Sequence, residues 1–172
     1  MMRFYITGVS GTGKSTITEK LNEKGISAID IDSVPDLCHW INKETKERAS
    51  WHPGIDNEWH EAHGWICDKD RLLELMDESK DVVVVAGVAA NQNEFLSSFN
   101  DIIILTCSPE VFIERINTRT NNDYGKHEVE QKRILSWHES YKKEMLDRGA
   151  IQVDAEKPLG DVVNEIIKII KN

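Results

Sequence analysis

The chain has 172 residues and a mass of 19.7 kDa, a length typical of one domain with its own hydrophobic core. Apolar residues make up 40% and charged residues 30% of the sequence, which argues against a disulfide-stapled miniprotein, a coiled coil and a collagen-like repeat. With 30 acidic and 21 basic residues the formal net charge is -9, so neither nucleic acid nor an anionic membrane is an expected partner.

Five short, mostly apolar segments alternate with segments of helical period along the chain. They are the candidate strands 4–7, 26–29, 82–85, 102–105 and 150–153. Two of them are apolar throughout, as strands covered on both faces of a sheet must be. A closing amphipathic helix is expected from Pro158 to Ile170. This alternation predicts an α/β sandwich with a parallel sheet, and the absence of repeats or linkers predicts one domain over 1–172.

The first candidate strand is followed directly by GVSGTGKS at positions 8–15. This matches the phosphate-loop pattern GxxxxGK[ST], placed between a strand and a helix as the mechanism requires. Backbone N–H groups of such a loop turn toward a phosphate, and the helix that follows adds partial positive charge. Lys14 is expected to reach the β- and γ-phosphates, and the Ser15 hydroxyl to ligate Mg²⁺. The expected nucleotide-binding residues are Gly8, Ser10, Gly11, Thr12, Gly13, Lys14, Ser15 and Thr16.

Two acidic residues, Asp30 and Asp32, come at the end of the second candidate strand. Their side chains are expected on one face, because strand residues alternate. In a parallel sheet that end points toward the phosphate site. The alternative interpretation is that both aspartates simply cap the strand end.

The third candidate strand ends at Gly87, where many nucleotide hydrolases carry an acidic residue. This weakens an interpretation as a motor or a switch. Asn91 and Gln92, just beyond, have amides that could contact a hydroxyl or a base edge of a substrate. Asn91 could equally cap a helix.

Residues 33–80 contain no predicted strand but carry four of the five tryptophans and four of the six histidines. We expect a helical insertion that binds the substrate. Its indole rings could stack on a base or a sugar, or form the core of a small helical subdomain. These rings belong to Trp40, Trp51, Trp59 and Trp65. On a helix, His60, His63 and Cys67 would share one face, either as metal ligands or as a partly buried surface.

Residues 115–133 combine several cations with the turn-prone stretch 121–125. Arg115 and Arg119 lie four residues apart and would share one helix face. There they could stabilise charge on a transferred phosphoryl group, or form an ordinary solvated surface. Lys126 could move with this segment.

The loop at 8–15, the aspartates at 30 and 32, Gly87, the Arg-bearing segment 115–126 and the turn at 153–155 together resemble a known family. They are similar to small phosphate-loop kinases of the shikimate kinase, gluconate kinase and nucleoside monophosphate kinase group. The resemblance covers nearly the whole chain. It implies a phosphate-loop NTPase fold: a three-layer sandwich with a five-stranded parallel sheet in the order 2-3-1-4-5. It also implies Mg²⁺ and ATP as cofactors, and a lid over the phosphates at 115–133.

The resemblance further implies catalytic roles for Lys14, Asp32, Arg115 and Arg119, and metal-binding roles for Ser15 and Asp30. Asp32 would orient the hydroxyl that accepts the phosphate. The sequence departs from the shikimate kinases because residues 51–60 contain no arginine. It departs from the monophosphate kinases because no Asp-Gly-Phe-Pro-Arg-like run follows the third strand. The acceptor therefore stays open.

The function predicted on this basis is ATP-dependent transfer of phosphate to a small molecule, either a nucleoside or nucleotide or another hydroxylated metabolite. The alternatives are a nucleotide-binding regulatory module and a plain NTP hydrolase.

The three cysteines, Cys38, Cys67 and Cys107, are odd in number and form no CxxC pair, as expected for reduced thiols of the cytoplasm. The sequence lacks a signal-peptide core and a membrane-length apolar stretch. We therefore expect a soluble cytoplasmic protein, monomeric or homodimeric.

Overall fold

The computed structural model describes residues 1–79 and 81–172, and within them the chain forms eight strands and six α-helices. The strands are β1 (Met2–Thr7), β2 (Ser27–Asp30), β3 (Cys38–Asn42), β4 (Arg48–Ala49), β5 (His63–Cys67), β6 (Val82–Ala86), β7 (Asp101–Thr106) and β8 (Ile151–Asp154). The helices are α1 (Lys14–Glu23), α2 (Asn57–Ala62), α3 (Lys69–Asp77), α4 (Pro109–Thr118), α5 (Glu128–Asp147) and α6 (Leu159–Lys171). Residue 80, the end of the expected insertion, lies outside the described residues.

The central sheet has the order β2-β6-β1-β7-β8, and every neighbouring pair is parallel. Counted among the five strands predicted from sequence, this is the order 2-3-1-4-5, so the expected topology is confirmed. The middle of the sheet is built from valine and isoleucine runs in β6 and β7, most of which are buried. Such β-branched residues suit strands that are covered on both faces.

Helices cover both faces of this sheet, which makes the predicted three layers. Alternate residues of β1 point to opposite sides: Phe4 and Ile6 pack with α1 and α6, and Tyr5 packs with α3. On the second side Ile104 of β7 contacts α4 and α5. The predicted closing helix is confirmed as α6, which buries Val162, Val163, Ile166 and Ile170 against the sheet.

The expectation of a strand-free, helical insertion is wrong. After β2 the chain forms a second, antiparallel sheet of order β4-β3-β5, and its one helix before α3 is the six-residue α2. Trp40 lies opposite Trp65 in this sheet, with ring centroids 5.6 Å apart. Aromatic pairs of this kind stabilise antiparallel strands. Strands β3 and β5 pair across more than twenty residues of sequence, so a search for local periodicity could not find their pairing.

The same correction removes the proposed helix face of His60, His63 and Cys67. His60 lies in α2, whereas His63 and Cys67 are the two ends of β5. Over residues 1–79 and 81–172 no group of three or more His, Cys, Asp or Glu side chains could hold a metal ion. The metal-binding interpretation of these three residues is therefore wrong.

The segment 115–133 consists of the end of α4, a loop and the start of α5. Helix α4 ends at Thr118, and Arg119 caps it with φ -67° and ψ 150°. The Arg119 N–H donates to the carbonyl oxygen of Arg115 at 3.1 Å, so Arg119 still follows Arg115 by one helical turn, as expected, before the chain leaves the helix. A loop from 119 to 127 leads to α5, whose first turn is capped by the His127 side chain.

In the part of the chain that the structure describes, no helix is long and apolar enough to cross a membrane.

Candidate active site

The loop between β1 and α1 contains glycines in conformations and close contacts that disfavour any other residue. Gly11 has φ +87°, and a Cβ atom there would lie 2.5 Å from the carbonyl oxygen of Phe112. Gly8 has φ +147°, and its Cβ would lie 2.6 Å from the carbonyl oxygen of Leu105. L side chains are strained at such angles, and both approaches leave no room for one. The loop is thus packed directly against β7 and α4.

Lys14 begins α1 and points back into this loop. Its Nζ donates to the carbonyl oxygens of Gly8 at 2.6 Å and Val9 at 3.1 Å. Burial lowers the pKa of Lys14, while the nearby carboxylates of Asp32 and Asp30 act in the opposite direction. The ammonium group is therefore held by the carbonyl oxygens of the loop and lies in the electrostatic field of two acidic side chains.

A cleft of about 470 Å³ opens over the loop. Of the eight expected nucleotide-binding residues, seven line it, namely Ser10, Gly11, Thr12, Gly13, Lys14, Ser15 and Thr16. Gly8 does not; it lies behind the loop at its junction with β1. Asp30 and both arginines, Arg115 and Arg119, line the same cleft. The far end is formed by Ala155, Lys157 and Leu159, in the turn between β8 and α6 and at the start of that helix.

Asp30 and Asp32 have different surroundings. The Oδ1 atom of Asp30 accepts the backbone N–H of Asp32 at 3.0 Å, which is the local capping role that the sequence left open. Asp32 instead accepts the indole N–H of Trp65 at 2.8 Å. Burial raises the pKa of Asp32, and the charge of Asp30 raises it further, against the opposing effects of Trp65 and Lys14. Asp32 is thus a carboxylate whose proton affinity is above the ordinary value.

The two arginines reach the cleft from separate backbone positions. Arg115 on α4 donates through Nη2 to the carbonyl oxygen of Ala155 at 2.9 Å. Arg119 donates to carbonyl oxygens of the loop that follows it, those of Asn122 at 2.9 Å and of Tyr124. Burial lowers the pKa of Arg119, and Asp32 opposes this shift. Both guanidinium groups are therefore positioned by backbone carbonyls rather than by carboxylates.

Lys126 stands apart from this group. Its Nζ forms an ion pair with Asp123 at 2.9 Å, and the residue does not line this cleft.

A second cleft of about 660 Å³ lies between the antiparallel sheet and α5. Four residues line both clefts: Ser10, Lys14, Asp32 and Asn122. The two spaces therefore meet where the phosphate-loop lysine and the Asp32 carboxylate lie. The aromatic wall of the second cleft consists of Trp40, Trp51, Trp65, Tyr124, Trp137 and Tyr141.

The tryptophans of the insertion divide between the two roles that the sequence left open. Trp40, Trp51 and Trp65 line the second cleft. Trp59 does not; its ring stacks on His63 with centroids 4.2 Å apart and packs against Trp40 at 5.1 Å. Trp59 therefore belongs to the core of the small subdomain.

Sequence reasoning missed the contribution of α5 to this cleft. Trp137 and Tyr141 lie four residues apart, and both line the cleft, as does Arg133 one turn earlier. Their spacing puts them on one helix face, so the period of α5 could have pointed to them.

Asn91 and Gln92 differ in role. The Asn91 side chain pairs with the backbone N–H and C=O of Cys67, each at 2.9 Å, and so ties the loop after β6 to β5. Gln92 is buried and lines the second cleft. Its Oε1 accepts the hydroxyl of Tyr141 at 3.0 Å, which leaves Nε2 as the donor end of the amide.

Gly87 has a packing reason for being glycine. A Cβ atom there would lie 2.3 Å from the side chain of Ile31, and the Gly87 carbonyl accepts the hydroxyls of Tyr5 and Thr7, each at 3.0 Å. Any side chain at this position would have to displace the buried side chain of Ile31.

Relatives of the chain are small-molecule kinases. A proposed adenylate kinase of Methanocaldococcus jannaschii is 26% identical over 180 residues, which cover 99% of this chain and 87% of the relative. The bifunctional shikimate kinase/3-dehydroquinate synthase of Thermotoga maritima is 30% identical over 120 residues, which cover 68% of this chain and only 23% of that protein. The structure of deoxyadenosine kinase from M. mycoides with bound dATP has a TM-score of 0.59 at 18% identity, over 99% of this chain and 100% of that one. At that identity it supports the fold alone.

These relatives confirm the predicted resemblance to small phosphate-loop kinases and the predicted reaction class, ATP-dependent phosphate transfer to a small molecule. A family model described as an AAA domain, AAA_18, matches residues 5–136, which is more than half of the chain. With its phosphate loop, its parallel sheet and this match, the protein belongs to the AAA_18 family of AAA domains.

Proposed function

We propose that the protein transfers the γ-phosphate of ATP to a hydroxyl group of a small molecule with a flat ring, a nucleoside or a close analogue. The observation that carries this proposal is the meeting of the two clefts at Lys14 and Asp32. ATP would lie in the first cleft with its phosphates on the loop, and the acceptor in the second. The reacting groups would then meet beside a cation and a carboxylate.

The chemistry of Asp32 favours a hydroxyl acceptor over a phosphate acceptor. A phosphate ester beside Asp32 and Asp30 would meet two carboxylates of its own charge sign. A hydroxyl can instead donate a hydrogen bond to Asp32, which orients it and takes its proton as the new P–O bond forms. A carboxylate whose pKa is raised is the better proton acceptor.

The aromatic wall of the second cleft suits a flat ring. Trp40, Trp51 and Trp65 offer planar apolar surfaces on which a base can stack. Gln92 is held by Tyr141 with its Nε2 as a donor, which suits a ring nitrogen or carbonyl of the acceptor. These groups support a nucleoside-like acceptor over a purely aliphatic one.

The residues of the first cleft fit Mg²⁺ together with ATP. Mg²⁺ prefers oxygen ligands and takes most of them from phosphates and water. Ser15 supplies a hydroxyl and Asp30 a carboxylate in the same cleft. The ion would neutralise charge on the phosphates. Lys14, Arg115 and Arg119 would stabilise the charge that spreads over the transferred phosphoryl group.

A second candidate acceptor is a hydroxylated carboxylic acid. Among the described residues the guanidinium of Arg133 forms no ion pair and no side-chain hydrogen bond, and the residue lines the second cleft. An arginine in this position binds a carboxylate well, through two parallel hydrogen bonds.

The test is the acceptor-dependent formation of ADP from Mg-ATP, measured with nucleosides, nucleoside monophosphates, sugar acids and shikimate. A signal with nucleosides that is lost in Lys14→Ala would support the proposal. Lys24→Ala, an exposed position just after α1, is the matched control and should retain the signal. A signal with sugar acids alone would favour the second candidate, and a signal with none of the acceptors would contradict both.

A further inference from the structure

The side chain of Glu130, near the start of α5, is completely buried and lines neither cleft. Its Oε1 accepts the indole N–H of Trp51 at 3.1 Å, and its Oε2 accepts the backbone N–H of Gly125 at 2.9 Å. The Nε2 atom of His60 lies 4.0 Å from Oε1. A buried carboxylate costs free energy unless it is hydrogen-bonded, and here these two N–H groups bond it. An apolar residue in its place would leave both donors without their acceptor. Glu130 is therefore defined by the two groups that it connects.

The two donors to Glu130 come from parts of the chain that are far apart in sequence. Trp51 belongs to the antiparallel insertion and forms part of the wall of the second cleft. Gly125 lies near the α5 end of the loop that begins at Arg119. A Cβ atom at Gly125 would lie 3.1 Å from both Ile116 and Ile134, so this end of the loop is closely packed. Glu130 thus joins the insertion to the loop.

The other end of the loop is tied to the first cleft. Arg119 lines that cleft and donates to the carbonyl oxygens of Asn122 and Tyr124. Tyr124 immediately precedes Gly125 and itself forms part of the wall of the second cleft. Hydrogen bonds and the chain between them therefore run without a break from Arg119 through residues 124 and 125 to Glu130 and Trp51.

We infer that Glu130 is a positioning residue, which couples the acceptor wall at Trp51 to the placement of Arg119 over the phosphates. The inference rests on the proposed binding of ATP in the first cleft. Binding there moves or restrains Arg119, the loop passes the change to Gly125, and the carboxylate passes it to the indole of Trp51. A ligand in the first cleft thereby changes the surroundings of the Trp51 indole in the second cleft, through a defined set of contacts.

The test follows the indole N–H signal of Trp51 by NMR in protein labelled with ¹⁵N-tryptophan. The chain has five tryptophans, and Trp51→Phe identifies the signal. The probe is Mg-AMP-PNP, a non-hydrolysable ATP analogue, so no acceptor is needed. We expect the analogue to shift the Trp51 signal, although Trp51 does not line the first cleft. In Glu130→Gln we expect the shift to be lost, while the dissociation constant of the analogue changes by no more than about threefold.

Glu139→Gln is the matched control, because Glu139 lies on the same helix in an exposed position. It should respond like the unmodified protein. Arg119→Met keeps the aliphatic stem and removes the donors to the loop carbonyls. Measured at a saturating concentration of the analogue, it should also abolish the Trp51 shift, and it serves if Glu130→Gln does not fold. A Trp51 signal that does not change when the analogue binds, or one that shifts equally in Glu130→Gln or Arg119→Met, would overturn the inference alone. Absence of binding to the unmodified protein would overturn the proposed nucleotide site and the inference with it.

Discussion

The indole N–H of Trp65 donates to Oδ1 of Asp32 across 2.8 Å. This hydrogen bond joins β5 of the antiparallel insertion to the end of β2 in the parallel sheet. It also stabilises the ionised form of Asp32, because an N–H donor favours a carboxylate over a carboxylic acid. The insertion therefore contributes to the electrostatics of the proposed reaction centre as well as to the wall of the second cleft.

Replacing Trp65 with phenylalanine should raise the pKa of Asp32. The ring remains, but the hydrogen bond that lowers this pKa is removed. Because the proton acceptor must be ionised, the acidic limb of the pH profile of kcat/KM should move to higher pH. We expect kcat/KM to fall at pH values on that limb and to change little on the plateau above it, because only the fraction of ionised Asp32 is altered. Trp59→Phe, outside the cleft, is the control; an unchanged acidic limb in Trp65→Phe would contradict the prediction.

Replacing Asp32 with asparagine should separate transfer from nucleotide binding. We expect kcat to fall by about 10²- to 10⁴-fold, the usual range for loss of a general base, with ATP affinity nearly unchanged. Steady-state kinetics and calorimetry measure the two quantities. Asp36→Asn is a suitable control, because Asp36 is exposed and has φ +60°, which asparagine tolerates. A variant that keeps its kcat would exclude Asp32 as the proton acceptor.

Three glycine-to-alanine variants should differ in stability according to what the new methyl group meets. At Gly149 the angle is φ +86° and no atom lies within 4 Å, so we expect only the cost of the left-handed conformation, about 1–2 kcal/mol. Gly13, with φ +96° and equally open space, should match it. Gly11→Ala should lower the free energy of unfolding clearly more than the other two variants, because its methyl group would lie 2.5 Å from the Phe112 carbonyl oxygen. Urea denaturation measures all three; equal losses would show that the loop relaxes without cost.

The thiol of Cys38 should react slowly with iodoacetamide in the folded protein. Cys38 lies opposite Cys67 in the antiparallel sheet, and the neighbouring Cys67 thiol, followed by burial, raises the pKa of Cys38. Only the thiolate is nucleophilic, so at pH 8 the rate should be at least about tenfold below that of a free cysteine. Cys67→Ala should speed the reaction by removing this neighbouring thiol. Rapid alkylation in the unmodified protein, read by mass spectrometry, would contradict this.

The sequence by itself determined the parallel core and the phosphate site. Apolar runs such as 82–85 and 102–105 identify buried strands wherever they occur, because both faces of such strands must be covered. The loop at 8–15 is a continuous segment, and its glycines, Lys14 and Ser15 act through their own backbone and side chains. Features that depend on neighbours in sequence are readable from the sequence. For the same reason Asp30 and Asp32 could be assigned to the same end of the sheet.

The tertiary structure alone decided how the acceptor side is built. Strands β3 and β5 stabilise each other across the intervening chain, so neither has a local period that reveals it. The indole of Trp65 meets Asp32, and Glu130 meets Trp51, through hydrogen bonds between residues 33 and 79 positions apart. Glu130 is completely buried, which strengthens its contact because water does not compete for the donor. Contacts between distant residues, and their burial, are properties of the packed chain. The composition of residues 33–80 could therefore indicate an aromatic site, but it could not indicate which rings line the cleft or what they contact.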